Sequence, residues 1–336
     1  MQVLIEKLDH SGNGISYHNG KIIFIPKAIP GDILDIEITN SYKKYDIGKI
    51  KKIIKSSDKL IAPKCPYYYT CGGCNISNLS YQEQLKFKED KIINIFKKYL
   101  DKDIAPRVLG SKKDFEYRNK ITYHVSNGLI GLVDIDNNFL KIDKCLLVSP
   151  KVNELVLLLQ KEDLSKVSKI VIRECNNGLI LSITGNMKIE NLKKLCIEIY
   201  LNNEKKYSKK EGYLYIDNLK YRVSDKSFFQ INTSNIATLY NEIIKYGEFT
   251  GKEKVIDLYC GVGSISLYVS KYVKSVLGIE IVKEAIEDAN YNKELNNIDN
   301  ATFICSDVSK VIDDKLECDT LIVDPPRAGL DKHTKS

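Results

Sequence analysis

From Val255 to Asp324 short apolar runs alternate with helical stretches, and that alternation admits few folds. The runs are Val255 to Tyr259, Val276 to Glu280, Thr302 to Cys305 and Leu321 to Asp324, with one helix reaching about Lys271 and another starting at Lys283. Runs that are apolar on both faces suit strands covered on both sides, and the intervening helices supply the crossovers that parallel pairing requires. A parallel, Rossmann-like α/β sheet is therefore expected in the last third of the chain.

The first turn of that sheet carries Asp257-Leu-Tyr259-Cys-Gly261-Val-Gly263-Ser264, a glycine turn opening a helix, and Glu280 stands at the tip of the next strand. This is a nucleoside-binding arrangement. The glycines let a ligand approach the backbone, and an acid 19 residues after Gly261 is placed to accept hydrogen bonds from ribose hydroxyls. A dinucleotide dehydrogenase would place a third glycine where Ser266 stands. Without it the pyrophosphate cradle is weaker, and S-adenosylmethionine is the better ligand. Gly-x-Gly also occurs in purely structural turns, so the position of Asp324-Pro325-Pro326-Arg327 adds information: it ends the fourth strand, where open α/β sheets bind ligands, and its prolines stiffen the loop. Amino-group methyltransferases follow a similar Asn/Asp-Pro-Pro with an aromatic that stacks on the target base; here Arg327 occupies that place.

The nine cysteines are the second constraint. An odd number in a chain without an export signal argues for ligand or core thiols over a disulfide framework. Cys65-x5-Cys71-x2-Cys74 places three thiols on one tight loop, where Gly72 and Gly73 let the backbone fold back. Cys145 is the nearest remaining cysteine in sequence, and no histidine lies close enough to complete a mixed site. An all-sulfur site admits zinc or an iron-sulfur cluster; three clustered cysteines plus a remote one favour the cluster by spacing. Cys175, Cys196, Cys305 and Cys318 read as small core hydrophobes.

The N-terminal segment reads as a small barrel of short strands: Val3 to Ile5, Ile15 to Tyr17, Ile22 to Ile25, Ile33 to Ile38 and Ile47 to Ile53. Asn19-Gly20 supplies the positive φ angles of a tight hairpin, and Leu34, Ile36 and Ile38 alternate with Asp35 and Glu37. Between Ser41 and Lys55 stand six lysines and one acid, with Tyr42 and Tyr45 interleaved. A phosphate-contacting surface with stacking side chains needs this mixture, although a solvated lysine-rich face accounts for it equally well. The net charge of +7 leans the same way, toward a polyanionic partner.

Ser56 to Pro63 reads as a linker. Ser80 and Glu83 form a capping box for a helix whose face is Leu85, Ile92, Phe96 and Leu100, running to a stop at Pro106. Tyr117 to about Lys220 mixes strands with one or two helices. The expected division is a small OB-like β-barrel at 1–57, an α+β central domain with the cysteine set at 58–225 and the Rossmann-like α/β domain at 226–336. Composition of 43% hydrophobic and 28% charged residues sets aside disordered and fibrous readings. No run approaches membrane-spanning length, the longest being Leu155 to Leu159, so a cytosolic protein is expected.

These features, in this order, resemble the RNA 5-methyluridine methyltransferases that act on large-subunit ribosomal RNA and on transfer RNA. The resemblance spans the chain. It rests on the TRAM-like pieces Gly12-Asn-Gly14, Phe24-Ile-Pro26 and Ile29-Pro-Gly31-Asp32, the four cysteines, Tyr117-Arg-Asn-Lys120, Ser227-Phe-Phe-Gln-Ile-Asn232, and the Asp257 and Asp324 motifs. It implies that the three regions are a TRAM domain, an iron-sulfur domain and a methyltransferase domain, and that Cys65, Cys71, Cys74 and Cys145 hold a [4Fe-4S] cluster. It also implies that Gln230, Tyr259, Glu280 and Asp324 contact S-adenosylmethionine, with Ser264 and Asp307 near the ligand. The implied reaction is methylation of uridine C5 in structured RNA, with 23S ribosomal RNA favoured over transfer RNA by the barrel and the cysteine set.

In that chemistry a cysteine thiolate adds to uracil C6, the resulting enolate takes the methyl group, and a carboxylate removes the C5 proton before elimination. Family resemblance puts both groups after Asp324-Pro-Pro-Arg327, whereas the sequence ends at Ser336 with no Cys-Asn-Pro-like segment. Cys260 is an unsuitable substitute, since its thiol would face the cofactor. The expectation is thus of a truncated, inactive chain with an incomplete sheet. Two rivals stand beside it: a non-catalytic RNA-binding iron-sulfur protein, and an amino-group RNA methyltransferase, which Arg327 and the N-terminal modules disfavour.

Overall fold

The structure is a computed structural model describing residues 1–224, 228–311, 317–325 and 329–330. Ser227, Pro326, Arg327 and Ser336, which the sequence motifs include, lie outside the described residues. By compactness the chain forms two units, Met1–Asp114 with Leu129–Leu146, and Phe115–Gly128 with Leu147–Ser336.

The first unit begins with a six-stranded sheet in the order Gln2–Leu4, Ile33–Ser41, Tyr45–Lys55, Lys21–Ile25, Gly14–His18, Lys7–Leu8. Its interior is Val3, Ile5, Ile23, Ile25, Ala28, Leu34 and Ile36. The Asn19-Gly20 hairpin is present, with φ of 48° and 76° and His18 paired to Lys21. The alternation of Leu34 and Ile36 holds, but Ile38 is 38% exposed. Beyond Ile36 the two long strands run on to a hairpin, whose second strand also pairs with Ile22–Phe24. At its turn the Tyr42 and Tyr45 rings stack, centroids 4.7 Å apart and 24° between planes.

The helix Tyr81–Leu100 starts where its cap dictates, the Ser80 hydroxyl accepting from Glu83 N at 3.3 Å. Glu83 turns its carboxylate to Lys59 Nζ at 2.7 Å. The helix stops at Leu100, short of the expected Pro106, because Asp101 adopts a left-handed φ of 48° and closes the last turn onto the Phe96 carbonyl. None of its residues is fully buried. A hairpin of Leu129–Val133 and Phe139–Lys141 completes the unit.

In the second unit, Lys120–Ser126, Val167–Cys175, Gly178–Gly185, Cys196–Leu201 and Glu204–Ser208 are neighbours in that order, antiparallel except for the parallel pair Gly178–Gly185 with Cys196–Leu201. The apolar run noted in the sequence belongs to the helix Pro150–Leu159, which buries Val152, Leu155, Val156 and Leu159. Downstream the expected parallel sheet is found among the described residues, in the order Ala301–Cys305, Ser275–Glu280, Lys254–Leu258, Thr320–Val323. Helices Ser264–Val269 and Lys283–Leu295 form its crossovers. Val255, Val262, Leu267, Val276 and Phe303 bury the sheet into a core shared with the helix Ile236–Gly247. Thr320–Val323 is one edge, with Leu321 50% exposed.

Cys175 and Cys196 are buried, as core thiols should be, whereas Cys305 and Cys318 are exposed. Cys305 ends the opposite edge strand and has outrun the layer that covers Ala301 and Phe303. Among the described residues no helix is long and apolar enough to cross a membrane.

Candidate cofactor site and cysteine loop

The strand Lys254–Leu258 ends in a turn that only an unusual backbone can make. Tyr259 has φ of 63°, Gly261 55° and Gly263 74°, three left-handed residues in a stretch of five. The two glycines serve different ends. A Cβ at Gly263 would stand 2.7 Å from the Phe303 ring, so packing demands glycine there, while a Cβ at Gly261 would meet nothing within 4 Å. Gly261 faces open space, where a ligand can approach.

Glu280, at the tip of the neighbouring strand, accepts from Gly261 N at 3.2 Å with one oxygen and from Val282 N at 2.9 Å with the other. Gln230 Nε2 donates to Asp324 Oδ2 at 3.3 Å, and the Gln230 carbonyl accepts from Asn119 Nδ2 at 2.9 Å. The structure thus pairs Glu280 with the glycine turn and Gln230 with Asp324. Tyr259 is half-buried against Ile256, Leu258, Ile279 and Val308. Ser264 turns inward, its hydroxyl 2.8 Å from Tyr240 OH. Asp307 caps the turn after its strand, accepting from Ser309 N at 3.0 Å and Ser309 Oγ at 2.8 Å.

Asp257 was quoted in the motif but not singled out, and it is the most unusual group present. It is 1% exposed. Its Oδ2 accepts from Ser266 Oγ at 2.5 Å, and its Oδ1 is buried with no hydrogen-bond partner. Burial, opposed by Ser266 and reinforced by Asp324 and Glu280, pushes the Asp257 carboxyl up to about 7. Ser266 therefore stands where a dinucleotide fold would want glycine because it is a donor to Asp257. Tyr240, which feels both Asp257 and Asp324, was also missed in the sequence. Three carboxylates, Asp257, Glu280 and Asp324, thus act on one another beside the open glycine turn.

Cys260, within the turn, is 7% exposed. Burial first, then Asp257 and Glu280, push its thiol far above the ordinary range. Such a thiol is a poor nucleophile.

The cysteine loop lies wholly in the first unit. Cys71 bridges Asp134, and Gly72 N donates to the Val133 carbonyl at 3.0 Å. A Cβ on Gly72 would stand 2.8 Å from the Asp134 carbonyl oxygen, so the loop needs glycine for close approach to this hairpin. Gly73 N donates to Cys71 Sγ at 3.4 Å. Burial pushes the Cys74 thiol up, with Ser77 and Lys27 opposing and Cys71 and Cys65 adding to it, which places the three sulfurs in one electrostatic neighbourhood. Two residues before Cys145, Asp143 is tied to this loop: the Tyr67 hydroxyl donates to Asp143 Oδ2 and accepts from Asp143 N, both at 3.1 Å. All four cysteines are half-buried.

Among the described residues, no group of three or more His, Cys, Asp or Glu converges as a single metal ion would require. The donor chemistry nonetheless fits a polynuclear group. One zinc draws four sulfurs to a common centre at about 2.3 Å, whereas a cluster gives each thiolate its own iron and leaves the sulfurs further apart.

A parallel sheet with a left-handed glycine turn at the end of an inner strand and an acid at the tip of the next is a nucleoside-binding arrangement of the Rossmann type. Residues 191–336 match the family model described as tRNA (uracil-5-)-methyltransferase, and residues 1–51 match the TRAM domain. An uncharacterized RNA methyltransferase of Clostridium tetani is 30% identical over 371 residues, covering 96% of this chain and 80% of the relative. One from Clostridium acetobutylicum is 30% identical over 383 residues, covering 98% and 83%. The crystal structure of the Pyrococcus abyssi tRNA (uracil-54, C5)-methyltransferase, in complex with S-adenosyl-L-homocysteine, superposes with a TM-score of 0.79 at 25% identity, over 99% of this chain and 85% of that one. The chain belongs to the RNA uracil-5-methyltransferase family.

Proposed function

We propose that the protein binds S-adenosylmethionine at the glycine turn and serves methylation of C5 of a uridine in 23S ribosomal RNA. The observation that carries the reading is the open side of Gly261 beside the Glu280 carboxylate, with Asp257 acted on by Glu280 and Asp324, and Gln230 bonded to Asp324. Glu280 would accept from the ribose hydroxyls, Gln230 and Asp324 would hold the polar end, and Tyr259 would form an apolar wall. Ser264 and Asp307 would stand behind, fixing Tyr240 and the turn after Cys305. When bound, the cofactor supplies the methyl group; a group of carboxylates favours its positively charged sulfonium over a neutral ligand.

Cys65, Cys71, Cys74 and Cys145 would hold a [4Fe-4S] cluster with a structural or RNA-positioning role. The three working regions of this reading are 1–57 for RNA contact, 58–225 for the cluster, and 226–336 for the cofactor. Transfer to uracil C5 also requires a reactive thiolate and a base, in the cytoplasm where ribosomal RNA is matured. The cysteine of the cofactor loop, Cys260, is buried and strongly protonated, which argues against it as that thiolate. Transfer RNA is the second reading, supported by the substrate named for the Pyrococcus abyssi protein.

The test is labelled methyl transfer to unmodified 23S transcripts and unmodified tRNA, run beside binding of S-adenosylmethionine. Binding of cofactor and of 23S RNA is expected. Labelling of uracil C5 by this chain would identify Cys260 or another of its cysteines as the nucleophile. Labelling or binding confined to tRNA would select the second reading, and failure to bind cofactor would sink both.

A further inference from the structure

Lys27 sits where lysines are rarely found. It is 5% exposed, and its φ of 68° lies in the left-handed region that a residue with a side chain seldom adopts. Its Nζ donates to the Cys71 carbonyl at 3.1 Å and to the Cys74 carbonyl. It also rests 4.7 Å over the centroid of the Tyr68 ring. The other end of the residue is tied down as well. Asn78 Nδ2 donates to the Lys27 carbonyl at 2.8 Å, and the Tyr68 hydroxyl donates to Asn78 Oδ1 at 2.6 Å. Among the described residues no carboxylate is paired with this ammonium.

A buried cation without a counter-charge destabilises a fold, and backbone strain of this kind persists only where the surroundings enforce it. Thiols must lose their protons to ligate metal. Three thiolates gathered on one loop would repel one another unless a positive charge stood behind them. We propose that Lys27 is a positioning residue of the cysteine loop, which holds the Cys71 and Cys74 carbonyls and offsets the thiolates of Cys65, Cys71 and Cys74 when they ligate an iron-sulfur group. This rests on the reading of those cysteines as cluster ligands. It also makes the barrel segment that carries Lys27 a part of the metal site.

The experiment uses the full 336-residue chain and its Lys27→Met and Lys27→Arg variants, reconstituted anaerobically with ferrous iron and sulfide. Iron and acid-labile sulfide per chain, visible absorption, the rate of iron loss to a chelator and the midpoint potential are read for each. Wild type and Lys27→Arg should load. Lys27→Met should lose iron about 10-fold faster or more, the scale typical of changes behind first ligands. Whatever cluster it retains should be harder to reduce, because a positive charge beside it has gone. Without metal the order should reverse, Lys27→Met melting no lower than wild type.

A Lys27→Met chain that loads, retains iron and titrates like wild type overturns the proposal. So does one that fails to fold without metal, since the lysine would then be a structural prop. If the folded wild type takes up no iron-sulfur group, the ligand reading itself fails, a result distinct from both.

Discussion

The cofactor turn and the cysteine loop are both tightened by a pair of glycines, yet they face opposite electrostatic problems. Asp257, Glu280 and Asp324 act on one another at the first. A buried ammonium stands behind the second, with no carboxylate paired to it among the described residues. A buried charge is costly until it is paired, so the two sites suit groups of opposite sign: a cation at the turn, thiolates at the loop.

The comparison breaks most visibly at the ligands themselves. Cys71→Ser should abolish iron-sulfur loading, measured as iron and sulfide per chain, while leaving S-adenosylmethionine affinity unchanged; a variant that loads normally would remove Cys71 from the ligand set. The next effect belongs to Asp257. Its carboxyl in the folded chain titrates at about 7, against about 3.9 when unfolded. Between those values the folded chain keeps a proton that the unfolded chain has released. Its stabilising effect is therefore full below about pH 4 and is lost as pH rises through 7, a change on the order of 4 kcal/mol. Thermal melts of the ligand-free protein should fall across that window. Asp257→Asn should flatten the fall, and so should bound S-adenosylmethionine, whose positive charge favours the ionised carboxylate.

Glu280→Gln should weaken S-adenosylmethionine binding by about 2 kcal/mol, some 10- to 100-fold, by calorimetry, as expected for hydrogen bonds to a charged acceptor. Iron loading should not change. An unaltered affinity would take Glu280 out of the site. Ser80→Ala, which removes the helix cap alone, should cost about 1 kcal/mol of stability and leave both sites as they were.

Much of this was legible from spacing, and what was not has physical causes. The parallel sheet, the Asn19-Gly20 hairpin and the Ser80 cap are local devices, written in neighbouring residues. The glycine turn and Glu280 could be placed because a strand and its successor sit side by side in such sheets. Lys27 could not, because a lone lysine is read as exposed, and its partners lie 44 and 47 residues away. Asp257 was visible as a letter, but its orphaned oxygen depends on burial by the whole core. Ser266 was noticed only as a missing glycine, when its hydroxyl was the relevant feature. The end of the first helix was misplaced because Asp101 took up a left-handed backbone with no glycine to signal it. Cys305 was misjudged because alternation says nothing about where a strand outruns its cover.

Gly72 fixes an order of events. Its amide is bound by the Val133 carbonyl, and the absence of a side chain lets it lie against Asp134. While the chain emerges from the ribosome, Lys27 is already made and can receive the loop carrying Cys71 and Cys74, but the wall against Gly72 is missing until the hairpin some sixty residues downstream has been made. The three clustered sulfurs are synthesised early, and their loop is completed late by a segment that contains none of them.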